Sequence, residues 1–437
     1  MSDPATPRTS PPESSTAQIF DEVRRERGSS GGSKGWPMRL LGLVVFGLAV
    51  WLISRNISWE DQLRLESPTG VETIGVGGSI VGDWRARPLV FVARTAVAEP
   101  PISAGERLSV ERERVLGTDG RVIASLQARE GGVAVSMIDV RPGLPKTLRG
   151  VEVGKVALAF ALLALATLTV ATRWWRLLIV HDCPTRWRDA VRFTYVGLFF
   201  NVVFPGFNGG DVARAVAVVQ RHPERRPEAL MSVVVDRVLG LFSMVVIGAC
   251  FVLASDDRAA DLKVPVSAAA AGLLVGGAVF CSHRMRRLIR FEALIARLPM
   301  GDRLERLDRS ARLVVARPRE LASALVLSSM NHLLTGAAVS FIAAALGSQL
   351  GFGEWMSTTA IANTISGLPI SPGGLGVGEH LFGALAAIFG STYAMGVATS
   401  LMFRVGLYGL SLTGGLVLLL PDSSGPGAGG PAAARTD

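Results

Sequence analysis

A chain of 437 residues that is 49% hydrophobic and only 19% charged, with a mean hydropathy of +0.38, is too apolar for a soluble enzyme. Apolar runs long enough to cross a bilayer recur along it, the mark of a polytopic membrane protein. The net charge of +9 falls mainly on arginines between those runs, where it sets orientation and argues against a nucleic-acid partner.

In chain order, residues 1–35 are rich in Ser, Pro, Thr and Gly and are expected to be a disordered cytoplasmic N-terminus. Residues 36–54 hold a first span (its apolar run at 38–54). It ends in ISRNISWED without a small-residue cleavage site, so it reads as uncleaved. Arg24, Arg25, Arg27, Lys34 and Arg39 before it put the N-terminus inside.

Residues 55–150 break the membrane pattern. The runs PLVFVAR (88–94), RLSVERERV (107–115), RVIASLQ (121–127) and VAVSMIDV (133–140) are β-prone, and GTDG and REGG punctuate them. This predicts a small β-rich extracytoplasmic insert without a catalytic cluster. Its GVGGS (75–79) reads as a turn rather than a phosphate loop.

Residues 151–420 read as an all-α membrane region, with spans at about 152–172, 229–254, 264–281, 321–347 and 393–420. Arg173, Arg176, Arg186, Arg188 and Arg192 place the loop after 172 inside, and the acidic SDDRAADLK (255–263) fits the outside. Tryptophans 36, 51, 174, 175 and 355 fall near span ends, where interfacial anchors belong. Residues 282–320 carry eleven arginines at helical spacing, as a cytoplasmic helix on anionic headgroups would, with specific headgroup recognition the other reading. Residues 421–437 are expected to be a disordered cytoplasmic tail. Cys183, Cys250 and Cys281 stand apart, and no metal or cofactor pattern is present.

Two apolar stretches do not fit as simple spans: VRFTYVGLFFNVVFPGFNGGDVARAVAVVQ (191–220) and MSTTAIANTISGLPISPGGLGVGEHLFGALAAIFG (356–390). Each breaks at Pro and Gly-Gly. Their first arms, 191–204 and 356–369, reach roughly 21 Å, and the second arms about 15–20 Å, against a hydrocarbon core of about 30 Å. Re-entrant hairpins are predicted, giving span–hairpin–span units at 152–254 and 321–420 in opposite orientation. Inverted repeats with broken helices at matching places are how transporters build a midplane site.

The breaks supply the chemistry. Gly209, Gly210, Pro372, Gly373 and Gly374 free backbone N–H groups at helix starts, where an anion can sit, with Asn201 and Asn208 beside the first break. Asp211 and Glu379 open the second arms, either as caps or as carboxylates lining a cavity. Arg214 follows Asp211 by three residues on one helix face. Asp236, Arg237, Asn331, His332 and Arg404 lie within apolar segments, where ionisable groups are expensive. Asp236 calls for an ion-pair partner in Arg404 or Arg214, His332 reads as a packing histidine, and Arg404 is the leading candidate for a lipid phosphate.

The motifs FFNVVFPGFNGGDVARA (199–215), VVVDRVLGL (233–241), PISPGGLGVGEHLFGAL (369–385) and FR in the last span resemble the flippase-like membrane domain of the lysylphosphatidylglycerol synthase family. The resemblance covers roughly 152–420 and the N-terminal span. It implies movement of lipids between leaflets of a bacterial inner membrane, with aminoacylated phosphatidylglycerol or polyprenyl-linked lipids as substrate classes and a separate lipid-modifying enzyme as a possible partner. The family usually has a basic residue followed by Gly-Glu where this chain has Asn208, Gly209, Gly210 and Asp211. The headgroup therefore stays open, and the 55–150 insert is not part of the common domain. About seventeen residues follow the last span, so no aminoacyl-transferase domain is expected there.

These residues predict a lipid transporter, not an enzyme, with its headgroup site at Asn201, Asn208, Gly209, Gly210, Asp211, Arg214, Asp236, Arg237, Pro372, Gly373, Gly374, Glu379 and Arg404. The alternative is an intramembrane enzyme or accessory protein for a polyprenyl-phosphate or glycolipid, using Asp236, His332, Glu379 or His380 as acid or base. A scaffold that recruits a partner through the β insert is a third reading. The sequence does not set the oligomeric state.

Overall fold

The computed structural model describes residues 51, 59–66, 73–84, 88–126, 133–135, 137–149, 151–203, 209–288, 301–368 and 372–418. The 1–35 segment, the first span apart from Trp51, the REGG turn, Asn208 and the 421–437 tail lie outside them.

Eight strands form one sheet: β1 (Asp61–Glu66), β2 (Thr73–Val81), β3 (Leu89–Ala93), β4 (Arg107–Val110), β5 (Arg114–Leu116), β6 (Val122–Ser125), β7 (Val133–Ala134) and β8 (Met137–Arg141). Their order is β7-β6-β5-β4-β3-β2-β1-β8, antiparallel except for the β6–β7 pair. Alternation turns Leu63, Leu65, Val76, Ile80, Leu89, Phe91, Leu108, Val110 and Val115 to one buried face, each contributing about 1.5–3 kcal/mol. GVGGS is not a turn but lies within β2. A Cβ on Gly78 would come 2.3 Å from the Val92 carbonyl oxygen, so the glycine serves close strand approach. RLSVERERV is likewise not one strand but two, β4 and β5, paired through Val110 and Val115.

The sheet is fastened to the helices. The carboxylate of Asp61 accepts from the Ile80 N–H (2.7 Å) and the Gly143 N–H (2.8 Å), just before the short helix α1 (Leu144–Arg149). Trp84, Leu144, Leu148 and Val151 pack into the largest helical core, and the Glu152 N–H bonds the Ala345 carbonyl at 3.2 Å.

Among the described residues the remaining helices are α2 (Val153–Val180), α3 (Trp187–Val203), α4 (Gly209–Arg221), α5 (Arg226–Leu253), α6 (Ala260–Cys281), α7 (His283–Leu288), α8 (Gly301–Val315), α9 (Pro318–Leu346), α10 (Phe352–Ser366), α11 (Val377–Ile388) and α12 (Tyr393–Leu418). Among the described residues five stretches are long and apolar enough to cross a membrane: Val153–Val180, Pro223–Leu253, Asp257–Cys281, Pro318–Leu346 and Tyr393–Leu416. The protein is therefore a multi-pass membrane protein. The helices α3, α4, α10 and α11 have 17, 13, 15 and 12 residues. At 1.5 Å per residue all fall short of a bilayer core of about 30 Å. Helix α2 packs along α9, α3 against α12, and α5 against α10.

Several sequence expectations are corrected here. The second span runs to Val180 rather than 172, so Arg173 is 4% exposed inside the bundle and is not a loop cation. Trp174 and Trp355 are fully buried and are not interfacial anchors. Helix α8 does not simply lie on headgroups. Its Asp308 takes two hydrogen bonds from Arg286 (2.6 and 2.8 Å), and Val314 packs with Leu177, Val180 and Val235. Ser310 meets His181 Nε2 at 2.7 Å. Burial holds that imidazole below its ordinary range and pushes the nearby Cys183 thiol up to about 11.

Candidate functional site

Among the described residues, ion pairs inside the apolar bundle gather at two places, one at the head of α4 and one at the head of α11. Helices α3 and α4 form a tight hairpin because glycines face each other. A Cβ on Gly210 would lie 2.3 Å from the Gly197 carbonyl oxygen, and one on Gly197 would lie 2.9 Å from that of Gly210. The Gly210 N–H, an orphan of the first helical turn, donates to Asn201 Oδ1 at 2.7 Å.

Around this head stands a five-membered charge cluster. Arg173 Nε donates to Asp236 Oδ1 at 2.7 Å, and its Nη1 donates to the Ser328 hydroxyl of α9 at 2.6 Å. Arg214 Nη2 reaches Asp236 Oδ2 at 3.3 Å, and its Nη1 lies 3.6 Å from Asp211 Oδ1. The Arg214 guanidinium sits 4.0 Å above the Trp174 ring, a cation–π contact. Arg237 closes the cluster through Nε to Asp211 Oδ2. Side-chain exposure is 5% for Arg173, 8% for Arg214 and 1% for Asp236, but 55% for Arg237. Among the described residues Arg237 is thus the most exposed member of the cluster. Of the two partners weighed for Asp236, Arg214 is the real one. Arg404 is not, and the main partner, Arg173, was missed. The sequence reading ended the span one residue before it. The apolar LLIV after Arg176 was the signal that the helix continued.

The second head is smaller. Gly373, Gly374 and Gly376 have φ of 62°, 68° and 80°, a conformation that favours glycine, so the chain reverses here before α11. The turn aims two carbonyls at Arg404, whose Nη1 donates to Gly373 O (3.2 Å) and Nη2 to Gly374 O (2.8 Å). Arg404 also ion-pairs with Glu379. Arg404 is therefore not a lone arginine, since Glu379 and two carbonyls partner it. Glu379 Oε2 in turn accepts from the Gly376 N–H at 2.7 Å, so this carboxylate both caps α11 and holds Arg404. Asp211 instead spends its carboxylate on arginines. Pro372 opens the turn. His332 Nε2 meets the Gly240 carbonyl at 2.9 Å, the packing role expected, and His380 Nδ1 meets the Tyr393 hydroxyl at 2.8 Å.

The two heads correspond position by position. Counting from Gly209 and Val377, Asp211 and Glu379 are each third in their helix. Counting from Arg226 and Tyr393, their partners Arg237 and Arg404 are each twelfth in the next one. The likeness then stops. The sixth residue of α4 is Arg214 and the eleventh of α5 is Asp236, whereas the matching places in α11 and α12 hold Phe382 and Phe403, with ring centroids 6.3 Å apart. Among the described residues no hydrogen bond or ion pair joins the two heads directly.

A family model described as the lysylphosphatidylglycerol synthase TM region matches residues 132–415. The chain belongs to this family. The match covers more than half of the sequence and begins within the β insert, taking in β7, β8 and α1, which the sequence reading left outside the common domain. It does not include the first span at 36–54. No curated protein matches the chain.

Proposed function

We propose that this family member moves a lipid with an anionic headgroup between the leaflets of a bacterial inner membrane, binding the headgroup at the two helix heads. The observation that carries this reading is the repeated acid–arginine pair, third residue to twelfth, at the head of each short helix. Two sites of one design on two similar units are what an inverted-repeat transporter needs to present its cargo to either side.

Helix contacts support the repeat. Exchanging α2–α5 with α9–α12 turns the α3–α12 contact into the α10–α5 contact and leaves α2–α9 in place, as a two-fold relation demands. In this reading α3–α4 and α10–α11 are re-entrant hairpins, because none of the four helices is long enough to cross alone. With one crossing, α6, between the units, they run in opposite senses. Arginines 186–192 and 221–226 then lie with both ends of the first hairpin on the cytoplasmic side, with the chain termini.

The test is transfer of fluorescent phospholipid across liposomes holding the purified protein. Glu379→Gln and Arg404→Ala are expected to abolish it. Full transfer in both variants would remove the second head from the path, and covalent change of the lipid would replace transport by catalysis.

A further inference from the structure

The apolar run 38–54 has the length and hydropathy of a membrane span, and the family match leaves it out. Apart from Trp51 it lies outside the described residues, yet those residues fix where it ends. The link from residue 54 to Trp59 reaches at most about 18 Å. The Trp59 carbonyl oxygen would lie 2.5 Å from a Cβ on Gly143, which directly precedes α1. Three residues after α1, the Glu152 N–H bonds the carbonyl of Ala345, one residue before the end of α9. The run therefore leaves the membrane at the face where α2 begins and α9 ends, and it is parallel to α9.

Helix α9 carries a groove. Val326, Met330 and Leu333 recur every three or four residues along one stripe, at 64%, 41% and 40% exposure. From Leu325 to Ala337, about 18 Å of helix, this stripe borders a hollow of about 730 Å³ against which Phe352 of α10 also stands. Close-packed interiors leave few voids larger than a water molecule, so this one is not the fold's own packing but room for a partner. Ser329 is the one polar side chain among the residues lining it, so the occupant is apolar.

We infer that the run 38–54 docks in this groove, along α9. Helices in lipid associate by packing rather than by hydrophobic force, and glycine lets them approach closely. The run holds Gly42 and Gly47 among Leu, Val and Phe side chains large enough to fill a hollow. Its tether to the sheet also spares it the loss of free translation that a second copy or a lipid would suffer on binding. The docked run would then be a further tie between the sheet and α9, one that the matched family region does not contain.

Depth sets the register. Leu333 lies thirteen residues before Leu346, and thirteen before residue 54 stands Leu41. Leu165 lies twelve residues into α2 from the same face and is exposed, as is Val405 on α12, which α1 also touches. The two are the competing faces.

The experiment is disulfide cross-linking of the full chain in its membrane, with Cys250→Ser and Cys281→Ser as background. Leu333→Cys is combined in turn with Leu40→Cys, Leu41→Cys, Leu43→Cys and Val44→Cys, which together sample every side of a helix. Oxidation with copper phenanthroline is followed by mass spectrometry of the peptides. Leu333, Leu165 and Val405 are exposed, so cysteine there spares the core. A disulfide closes only where Cα atoms come within about 7 Å. At least one pair with Leu333→Cys should close within a single chain, and none when Leu165→Cys or Val405→Cys takes its place. Closure on α2 or α12 instead would overturn the inference. So would a link between two copies through Leu333→Cys, which would put a second copy in the groove, or no link at all, which would leave the groove to lipid.

Discussion

Replacing Asp236 by asparagine tests whether the buried cluster is held by charge. Asp236 accepts from Arg173 at 2.7 Å and from Arg214 at 3.3 Å, at 1% exposure. Asparagine offers one acceptor oxygen and sets an NH2 against a guanidinium, and the cluster rises from +1 to +2. Removing one partner of a buried pair costs about 3–5 kcal/mol, because the other charge is left uncompensated. Adding Arg173→Met returns the cluster to +1 and removes the facing donor, so the double variant should recover about half of that loss or more. The assay is unfolding in mixed micelles titrated with dodecyl sulfate, followed by tryptophan fluorescence, for the wild type, both single variants and the double. Additive losses, within about 0.5 kcal/mol, would refute the coupling and with it the reading of Arg173 as the main partner of Asp236.

Gly210→Ala should destabilise the protein and abolish lipid transfer, because its Cβ would lie 2.3 Å from the Gly197 carbonyl oxygen. Gly272→Ala, with nothing within 4 Å, should instead stabilise by about 0.5–1 kcal/mol in the same titration. Arg404→Lys keeps the charge but not the fork that reaches Gly373 O and Gly374 O together, so lipid transfer should fall at least about tenfold in the liposome assay. His181 is buried and its pKa is lowered by desolvation, so the folded state holds the neutral ring. The stability it supports is complete above its unfolded value of about 6.5 and is lost as pH falls below that towards the folded value. Thermal melts from pH 7.5 to 5 should show this loss, and His181→Gln should flatten it.

The membrane helices and both hairpin breaks were legible because length and hydropathy are local properties, and Pro and Gly punctuate a helix wherever they stand. Asp211, Glu379 and their partners were visible as charges inside apolar runs. Which arginine meets which acid was not visible, since Arg173, Asp236 and Ser328 come from three helices and 155 residues of chain separate the outer two. Arg173 looked like a loop cation because the local rule for span ends weighs charge and cannot see a carboxylate waiting on a neighbouring helix. Trp174 was misread for the same reason: the arginine on its ring lies 40 residues further on, numbering from Trp174 to Arg214. GVGGS (75–79) looks like a turn in one dimension, and its pairing with β1 and β3 shows it to be strand.

The fastening of the sheet reaches beyond the sheet itself. Asp61 ties β2 to the start of α1, α1 leans on α12, and Glu152 bonds α9 just before α2 begins. Helices α2, α9 and α12 are thereby moored to the sheet, and tilting any of them alone would tear a hydrogen bond or drag eight strands. The short helices α3, α4, α10 and α11 are not among the elements that Asp61, α1 and Glu152 tie together. If the chain moves lipid as proposed, the short helices are the parts left to move, against a fixed mast of α2, α9 and α12. A cross-link from the sheet to α12 should then leave transfer intact, while one pinning α4 to α5 should stop it.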